Sequence, residues 1–397
     1  MGACFIGYIV QAIAINFLPL LYVMFQTKYN ITLGQISLLI IINFAVQLCI
    51  DAFVSPLVLK LGYRISAIFA HAIDILGFAL LMVLPTVMDN TFLALVLAVV
   101  CYSIGGGFIE VIVSPIVEAC PNDNKKGAMS LLHSFYCWGQ AGVVLLSTIF
   151  FLSFGLDNWR IMAGIWIIVP LINIILFSIS PIPEPYGGGH QKGATKKLFK
   201  NKLFWILVLI MMCAGSSEIS VAQWVSAFAE ESLKVSKTIG DLVGAMLFAV
   251  AMGITRVLFG KFGKKINLNV ALIVSAGLCV FSYLIISLVP VSIIGLIGCV
   301  ICGVSVGIMW PGSLSLATET IKDTGPVIFA YLAIAGDVGC TLGPIIIGNV
   351  AEALNNNLKM GILSATIFPF IMLFAVIGYY LHNKKSKKQL QTLIEST

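Results

Sequence analysis

The chain has 397 residues, of which 59% are hydrophobic and only 10% are charged, and its mean hydropathy is +1.04. A soluble domain usually carries about 25% charged residues, so this composition excludes a soluble protein and predicts a polytopic membrane protein. The formal net charge of +6 does not indicate nucleic-acid binding, because the basic residues fall in loops rather than in one stripe.

Apolar runs of about 18–26 residues, each long enough to cross a bilayer, are separated by short polar breaks. They predict an all-α integral membrane protein with twelve transmembrane helices. Interior glycines and prolines do not count against these helices, because membrane helices tolerate both. The predicted spans are 4–25, 34–59, 65–86, 92–115, 128–155, 160–180, 203–229, 239–260, 268–289, 292–316, 325–350 and 360–382.

The loop charges predict how the helices are oriented. Of the 23 basic residues, 17 fall on one side of the predicted bundle and five on the other, while Arg256 lies within a helix. Cytoplasmic loops carry the excess of Lys and Arg in membrane proteins. We therefore expect a multi-pass protein of the cell membrane with both termini in the cytoplasm.

A polar segment near the middle of the chain divides the helices into two sets of six. This segment, 181–202, is rich in Pro, Gly and Lys and is predicted to be a cytoplasmic linker. The N-terminal six-helix half is then 1–180 and the C-terminal half is 203–382, followed by a cytoplasmic tail at 383–397.

The two halves resemble each other at a spacing of roughly 200 residues. The loop motif Lys60-Leu-Gly-Tyr-Arg64 matches Lys261-Phe-Gly-Lys-Lys265, and Gly107-Phe-Ile-Glu110 matches Gly307-Ile-Met-Trp310. Parallel six-helix repeats, related by an axis along the membrane normal, are typical of transporters whose binding site lies at the midplane between the halves. The repeat therefore predicts pseudo-symmetric halves with a central site.

Two carboxylates lie deep within predicted spans. Glu110 follows three glycines about midway along its helix, and Asp337 lies near the centre of another. An ionised acid at this depth costs several kcal/mol and usually has a function. A carboxylic acid removed from water also takes up a proton more readily. We expect both to bind substrate and to couple transport to protons. For Asp337 an ion pair with Arg256 remains an alternative.

Polar and aromatic side chains along several helices are candidates for contact with a solute. Amides and carboxylates can bind hydroxyl groups, while an indole offers a flat apolar face with one N–H donor. Glu218 points away from its polar neighbours on an ideal helix, unless that helix is broken at Gly215. Besides Glu110 and Asp337, the predicted substrate-binding residues are Gln11, Asn43, His133, Tyr136, Gln140, Glu218, Gln223, Trp224 and Trp310.

Three charged residues are predicted to act in gating. Asp51 lies near the cytoplasmic end of the second span, where inter-helix hydrogen bonds are expected. Arg64 is the last residue of the loop that follows this span, and Arg256 lies about a turn before Gly260 in the eighth span. We expect all three to hold or release contacts near the cytoplasmic side.

The sequence resembles the major facilitator superfamily, and within it the fucose permease-like proton symporters. The likeness rests on SPLVLKLGYR at 55–64, on the glycines before Glu110 with Pro115 after it, and on HSFYCWG at 133–139. It implies that Glu110 handles substrate or proton and that His133 contacts substrate. Two departures are Leu59, where the superfamily loop has an aspartate, and Tyr136, where the subfamily has an asparagine. The subfamily's carboxylate in the first helix also has no counterpart, because residues 1–50 contain no Asp or Glu.

The chain shows no spacing typical of a catalytic site, a metal site or an ATPase. We expect neither an enzyme nor a cofactor. The favoured hypothesis is a monomeric secondary transporter that takes up a small polar solute, such as a sugar, together with a proton by alternating access. The alternatives are a proton-driven exporter of amphiphilic compounds and a membrane sensor that has lost transport.

Overall fold

The computed structural model describes residues 1–121, 125–183, 198–321 and 327–395. Within these ranges, twelve helices are long and apolar enough to cross a membrane, in agreement with the predicted spans. We label them in chain order: α1 Gly2–Tyr29, α2 Leu33–Phe53, α3 Tyr63–Val87, α4 Thr91–Ala119, α5 Ala128–Phe154, α6 Leu156–Ile179, α7 Lys202–Glu231, α8 Lys237–Phe262, α9 Leu268–Leu288, α10 Ser292–Ala317, α11 Tyr331–Ala353 and α12 Leu358–His382.

Local sequence explains where several helices begin. The side chain of Thr32 accepts a hydrogen bond from the Gln35 backbone N–H, and the Gln35 side chain accepts one from the Thr32 backbone. This capping box satisfies two donors that the first turn of α2 would leave unpaired. The side chains of Asn90 and Asn267 cap α4 and α9 in the same position. Gly62 has φ +82°, a backbone conformation that favours glycine, and precedes α3.

Several of the described helices are irregular towards the end predicted to be extracellular: α6 and α12 are interrupted at Ile167 and Thr366, and α1 and α8 contain other helix types. In α1, a 3₁₀ turn at Leu18–Leu21 contains Pro19 and separates two α-helical segments. In α8, residues Gly240–Met246 form a π-helical segment. Such segments often occur at functional sites because they change the direction of side chains. In contrast, α7 is continuous through Gly215, so the break considered there from the sequence is not found.

The two halves contact each other through equivalent helices. α2 packs along α11 and α5 packs along α8, each pair crossing between the halves, and α1 contacts α7. The exact bounds of the halves and linker stay a prediction. Residues 184–197 of the predicted linker and the last two residues of the predicted tail lie outside the described residues.

Candidate functional site

Three carboxylates from three helices meet between the halves. Asp51 comes from α2, Glu110 from α4 and Asp337 from α11, and one carboxylate oxygen of each lies within 4.8 Å of the other two. Asp337 is buried, whereas Asp51 and Glu110 are half-buried. The structure thus brings the two predicted coupling acids together. It adds Asp51, which the sequence placed only at a gate.

Few hydrogen-bond donors from the described residues reach this acid cluster, defined as Asp51, Glu110 and Asp337. The Gln11 side-chain amide of α1 donates to a Glu110 oxygen at 2.7 Å. No N–H or hydroxyl group of the described residues donates to Asp51, whose carboxyl group lies close enough to that of Asp337 to share a proton, and one oxygen of Asp337 has no partner. The cluster is therefore poorly satisfied by the protein itself, which is unusual for buried carboxylates.

Arg256 of α8 forms a buried ion pair with Glu218 of α7. One guanidinium nitrogen donates to both Glu218 oxygens, at 2.6 and 2.7 Å, and both side chains are about 5% exposed. The alternative in which Arg256 pairs with Asp337 is therefore wrong, because the arginine charge is already satisfied by Glu218. Because the Glu218 carboxylate is paired with Arg256, it is less available to a solute in this arrangement.

The same arginine connects the halves through His133. A second nitrogen of Arg256 donates to the His133 backbone oxygen at 3.3 Å, which joins α8 to α5. The imidazole ring of His133 lies 5.3 Å from the ring of Tyr8, centroid to centroid, and is half-buried. Arg256 thus contacts both halves, as a gating residue would, although its gating role stays a prediction.

Two predicted ligand residues of α5 lie one turn apart. The Tyr136 hydroxyl accepts a hydrogen bond of 3.2 Å from Asn16 of α1. Gln140 is almost fully buried, and its side-chain oxygen has no partner among the described residues. An unpaired buried carbonyl oxygen is costly, so this atom is available to a donor group on a bound solute.

Two other predicted ligand residues, on α7, take part in contacts near the end predicted to be extracellular. The Gln223 amide accepts from the Tyr22 hydroxyl at 3.0 Å and donates to the Ile15 backbone oxygen at 3.2 Å. The Trp224 indole N–H donates to the Pro344 oxygen at 3.1 Å, and the side chain is fully buried. Both side chains hold helices together in this arrangement, and their contact with solute stays a prediction.

Trp310 of α10 is half-buried, and the six-membered ring of its indole packs closely against Gly336 in α11. Any side chain at position 336 would collide with the indole ring, so the glycine permits this close approach. Since Gly336 precedes Asp337, Trp310 packs against the helical turn that carries the third acid.

Asn43 and Arg64 form contacts within the N-terminal half. The Asn43 oxygen accepts hydrogen bonds from Gln47 at 3.1 Å and from Ser103 at 2.6 Å, which ties α2 to α4. Arg64 donates to the backbone oxygens of Phe177 and Ser180 at 2.9 Å and thereby caps the end of α6. These contacts hold helices of the N-terminal half together. They do not test the predicted role of Asn43 in binding or that of Arg64 in gating.

The structure also contains a buried ion pair that was not identified from the sequence. Lys237 and Asp241 of α8 form an ion pair of 3.0 Å in which the Asp241 side chain is only 1% exposed. Lys237 also donates to the Leu20 backbone oxygen, and Asp241 accepts from Thr148 of α5 at 3.3 Å and from Ser226 of α7. This pair therefore joins both halves. The i, i+4 spacing of the two charges was its only sequence signal.

Twelve membrane-length helices in two pseudo-symmetric halves, with ionisable groups meeting between them, define the fold of a secondary transporter. The chain belongs to the Major Facilitator Superfamily, whose family model matches residues 4–344. Members of this family are transporters rather than enzymes. Among curated proteins, no sequence matches the chain significantly.

Solved structures share this fold. A single-residue variant of the fucose:proton symporter FucP of E. coli superposes with a TM-score of 0.64 at 16% identity, covering 94% of this chain and 97% of that one. FucP in the outward conformation gives 0.65 at the same identity and coverage. A bacterial homologue of the human lysosomal transporter Spinster, inward-facing and unoccupied, gives 0.70 at 14% identity, covering 94% and 95%.

Proposed function

We propose that the chain takes up a small polar solute, with a sugar as the first candidate, together with a proton by alternating access. The observation that carries this proposal is the meeting of Glu110 and Asp337, one from each half, with carboxylate oxygens within 4.8 Å. Three acids this close cannot all remain ionised away from water, because like charges at such a distance favour protonation. Proton uptake would therefore accompany the approach of the halves, and proton release their separation.

Polar groups near the contact between the halves support a hydrophilic cargo. Gln11 already donates to Glu110, Gln140 has an unpaired oxygen, and His133 lies beside Tyr8. Amides, hydroxyls and carboxylates are the groups that bind sugar hydroxyls. The similarity in fold to a fucose:proton symporter also favours a sugar with a proton.

The experiment is solute uptake into liposomes that contain the purified protein. A panel of sugars, amino acids and organic acids, each labelled, is tested with an imposed inward proton gradient. We expect at least one polar solute to accumulate above its external concentration, and collapse of the gradient by an ionophore should abolish this accumulation. A thermal-shift screen of the same panel selects the solutes, because a ligand that binds the folded state raises the Tm.

Two results would contradict the proposed function. Accumulation of amphiphilic compounds on an inverted gradient, without uptake of any polar solute, would replace the proposal with proton-driven export. Stabilisation by a solute that the liposomes never move would instead favour a sensor.

A further inference from the structure

We propose that Asp51, Glu110 and Asp337 form a binding site for a small hard cation, such as Na⁺ or Ca²⁺, between the two halves. This inference goes beyond the proposed function, since such an ion can bind whether or not protons drive transport. Its ligands come from α2, α4 and α11, so the bound ion contacts both halves at once.

The spacing of the acid cluster fits a single ion. One oxygen from each of the three carboxylates lies within 4.8 Å of the others. Oxygen ligands surround Ca²⁺ at about 2.3–2.6 Å, so two ligands on opposite sides of one ion are about 5 Å apart. The three oxygens can therefore reach one ion with little movement of their helices.

The cluster contains buried carboxylate oxygens that receive no hydrogen bond from the described residues. Asp337 is only 6% exposed, and one of its oxygens has no hydrogen-bond partner among the described residues. This carboxylate projects from the C-terminal half towards Asp51 and Glu110 of the other half. Apart from the neighbouring Asp337 carboxyl group, neither Asp51 oxygen has a donor within the same part of the chain. A buried carboxylate without donors is stable only if a proton or a cation neutralises it.

No basic side chain of the described residues neutralises the cluster. The ion pairs in this part of the chain are Lys28–Asp157, Lys237–Asp241 and Arg256–Glu218. Arg256, which lies in the α8 helix, directs its charge to Glu218 and its second nitrogen to a backbone oxygen. The Gln11 amide is a neutral donor to Glu110. Positive charge for the cluster must therefore come from solution.

Asp74 of α3 shows why the cluster differs from an ordinary buried acid. Asp74 is fully buried and neither of its oxygens has a partner in the described residues. A single proton neutralises this isolated side chain. In the acid cluster, three carboxylates converge, and hard cations bind best where several oxygens converge. Asp74 is therefore a matched control: a buried carboxylic acid that does not lie in a cluster of carboxylates.

The test measures the Tm of the purified protein at mildly alkaline pH. Choline chloride is replaced by NaCl, LiCl, KCl, MgCl₂ or CaCl₂ at constant ionic strength. We expect at least one small cation to raise the Tm by several degrees in a saturable manner, because a ligand of the folded state stabilises it. Equilibrium binding of ²²Na⁺ or ⁴⁵Ca²⁺ to the wild-type protein should then give one ion per chain.

Conservative variants assign the effect to the cluster. Asp51→Asn, Glu110→Gln and Asp337→Asn should each weaken the apparent cation affinity at least tenfold, whereas Asp74→Asn should retain it. Equal Tm values in choline and in every cation, with no bound isotope on the wild-type protein, would overturn the proposal. A cation shift that persists in all three cluster variants would also overturn it. Proton-driven uptake in sodium- and calcium-free buffer, measured separately, would leave the proposed function intact in either case.

Discussion

Glu110 of α4 and Asp337 of α11 belong to opposite halves of the chain, yet their carboxylate oxygens lie within 4.8 Å of each other. Each half contributes part of the acid cluster, and Asp51 of α2 completes it. Because α2 packs along α11, any rocking of the halves changes these distances directly. The charge state of the cluster and the arrangement of the halves are therefore coupled.

Replacement of Glu110 by Gln should separate solute binding from coupling. The amide retains the shape and one hydrogen-bond acceptor but cannot release a proton. We expect Glu110→Gln to abolish uphill accumulation while it preserves counterflow, in which labelled solute exchanges with unlabelled solute without net proton movement. Both assays use the same liposomes.

The control for this substitution is Asp89→Asn, which changes an exposed acid in the loop before the same helix, outside the cluster. It should accumulate solute as the wild type does. Unchanged uphill uptake by Glu110→Gln would remove Glu110 from the coupling mechanism.

Replacement of Asp337 by Asn tests the other half of the cluster. Asp337 is buried and one of its oxygens has no partner, so the ability to gain and lose a proton is the main property lost. We expect initial uptake to fall at least tenfold, which corresponds to about 1.4 kcal/mol in a rate-limiting step. Glu352→Gln is the control, since Glu352 is an exposed acid on the same helix. Full activity of Asp337→Asn would assign Asp337 a structural role only.

The sequence predicted the fold well because its signals are local. Apolar runs of membrane length predicted all twelve spans, and the internal repeat predicted two halves. Glu110 and Asp337 stood out because an acid in an apolar helix is costly. Pairing between distant helices has no such local signal. Asp51 looked like an ordinary polar residue at a helix end, and its approach to Asp337 depends on how α2 packs along α11.

The partner of Arg256 is a second contact of this kind, for which the sequence offered only Asp337 as an alternative. Both Asp337 and Glu218 are acids in the C-terminal half, and the sequence did not distinguish them as partners. On an ideal helix Glu218 pointed away from its polar neighbours, so a role in packing against α8 was not considered. The continuous helix α7 places it against Arg256 instead.

The Arg256–Glu218 pair should show strong coupling in a double-mutant cycle. Both side chains are about 5% exposed, so removal of one partner leaves a buried unpaired charge. We expect Arg256→Met or Glu218→Met alone to destabilise the fold by about 3–5 kcal/mol. The double variant should lose less than the sum, because it buries no charge. Thermal unfolding of the four proteins in detergent measures this difference.

The matched comparison is the Lys28–Asp157 pair, whose side chains are 48% and 77% exposed. An exposed pair contributes little to stability, so Lys28→Met and Asp157→Asn should have small and additive effects. Additive losses at Arg256 and Glu218 as well would show that their contact contributes no more than a surface pair.

Lys237 and Asp241 should hold the halves together at the end predicted to be extracellular. Lys237→Met leaves the almost fully buried Asp241 without its ion pair and removes the bond to the Leu20 oxygen. Since the buried pair forms in this arrangement, its loss should favour opening at that end by about 3 kcal/mol, or more than a hundredfold in population.

Spin labels at exposed Asp89 and Asn356, in a Cys49→Ser background, measure the opening as an increased distance. Lys234→Met, a change at an exposed lysine beside the same helix, should leave the distance distribution as in the wild type. Identical distributions for Lys237→Met and Lys234→Met would show that the ion pair does not control opening.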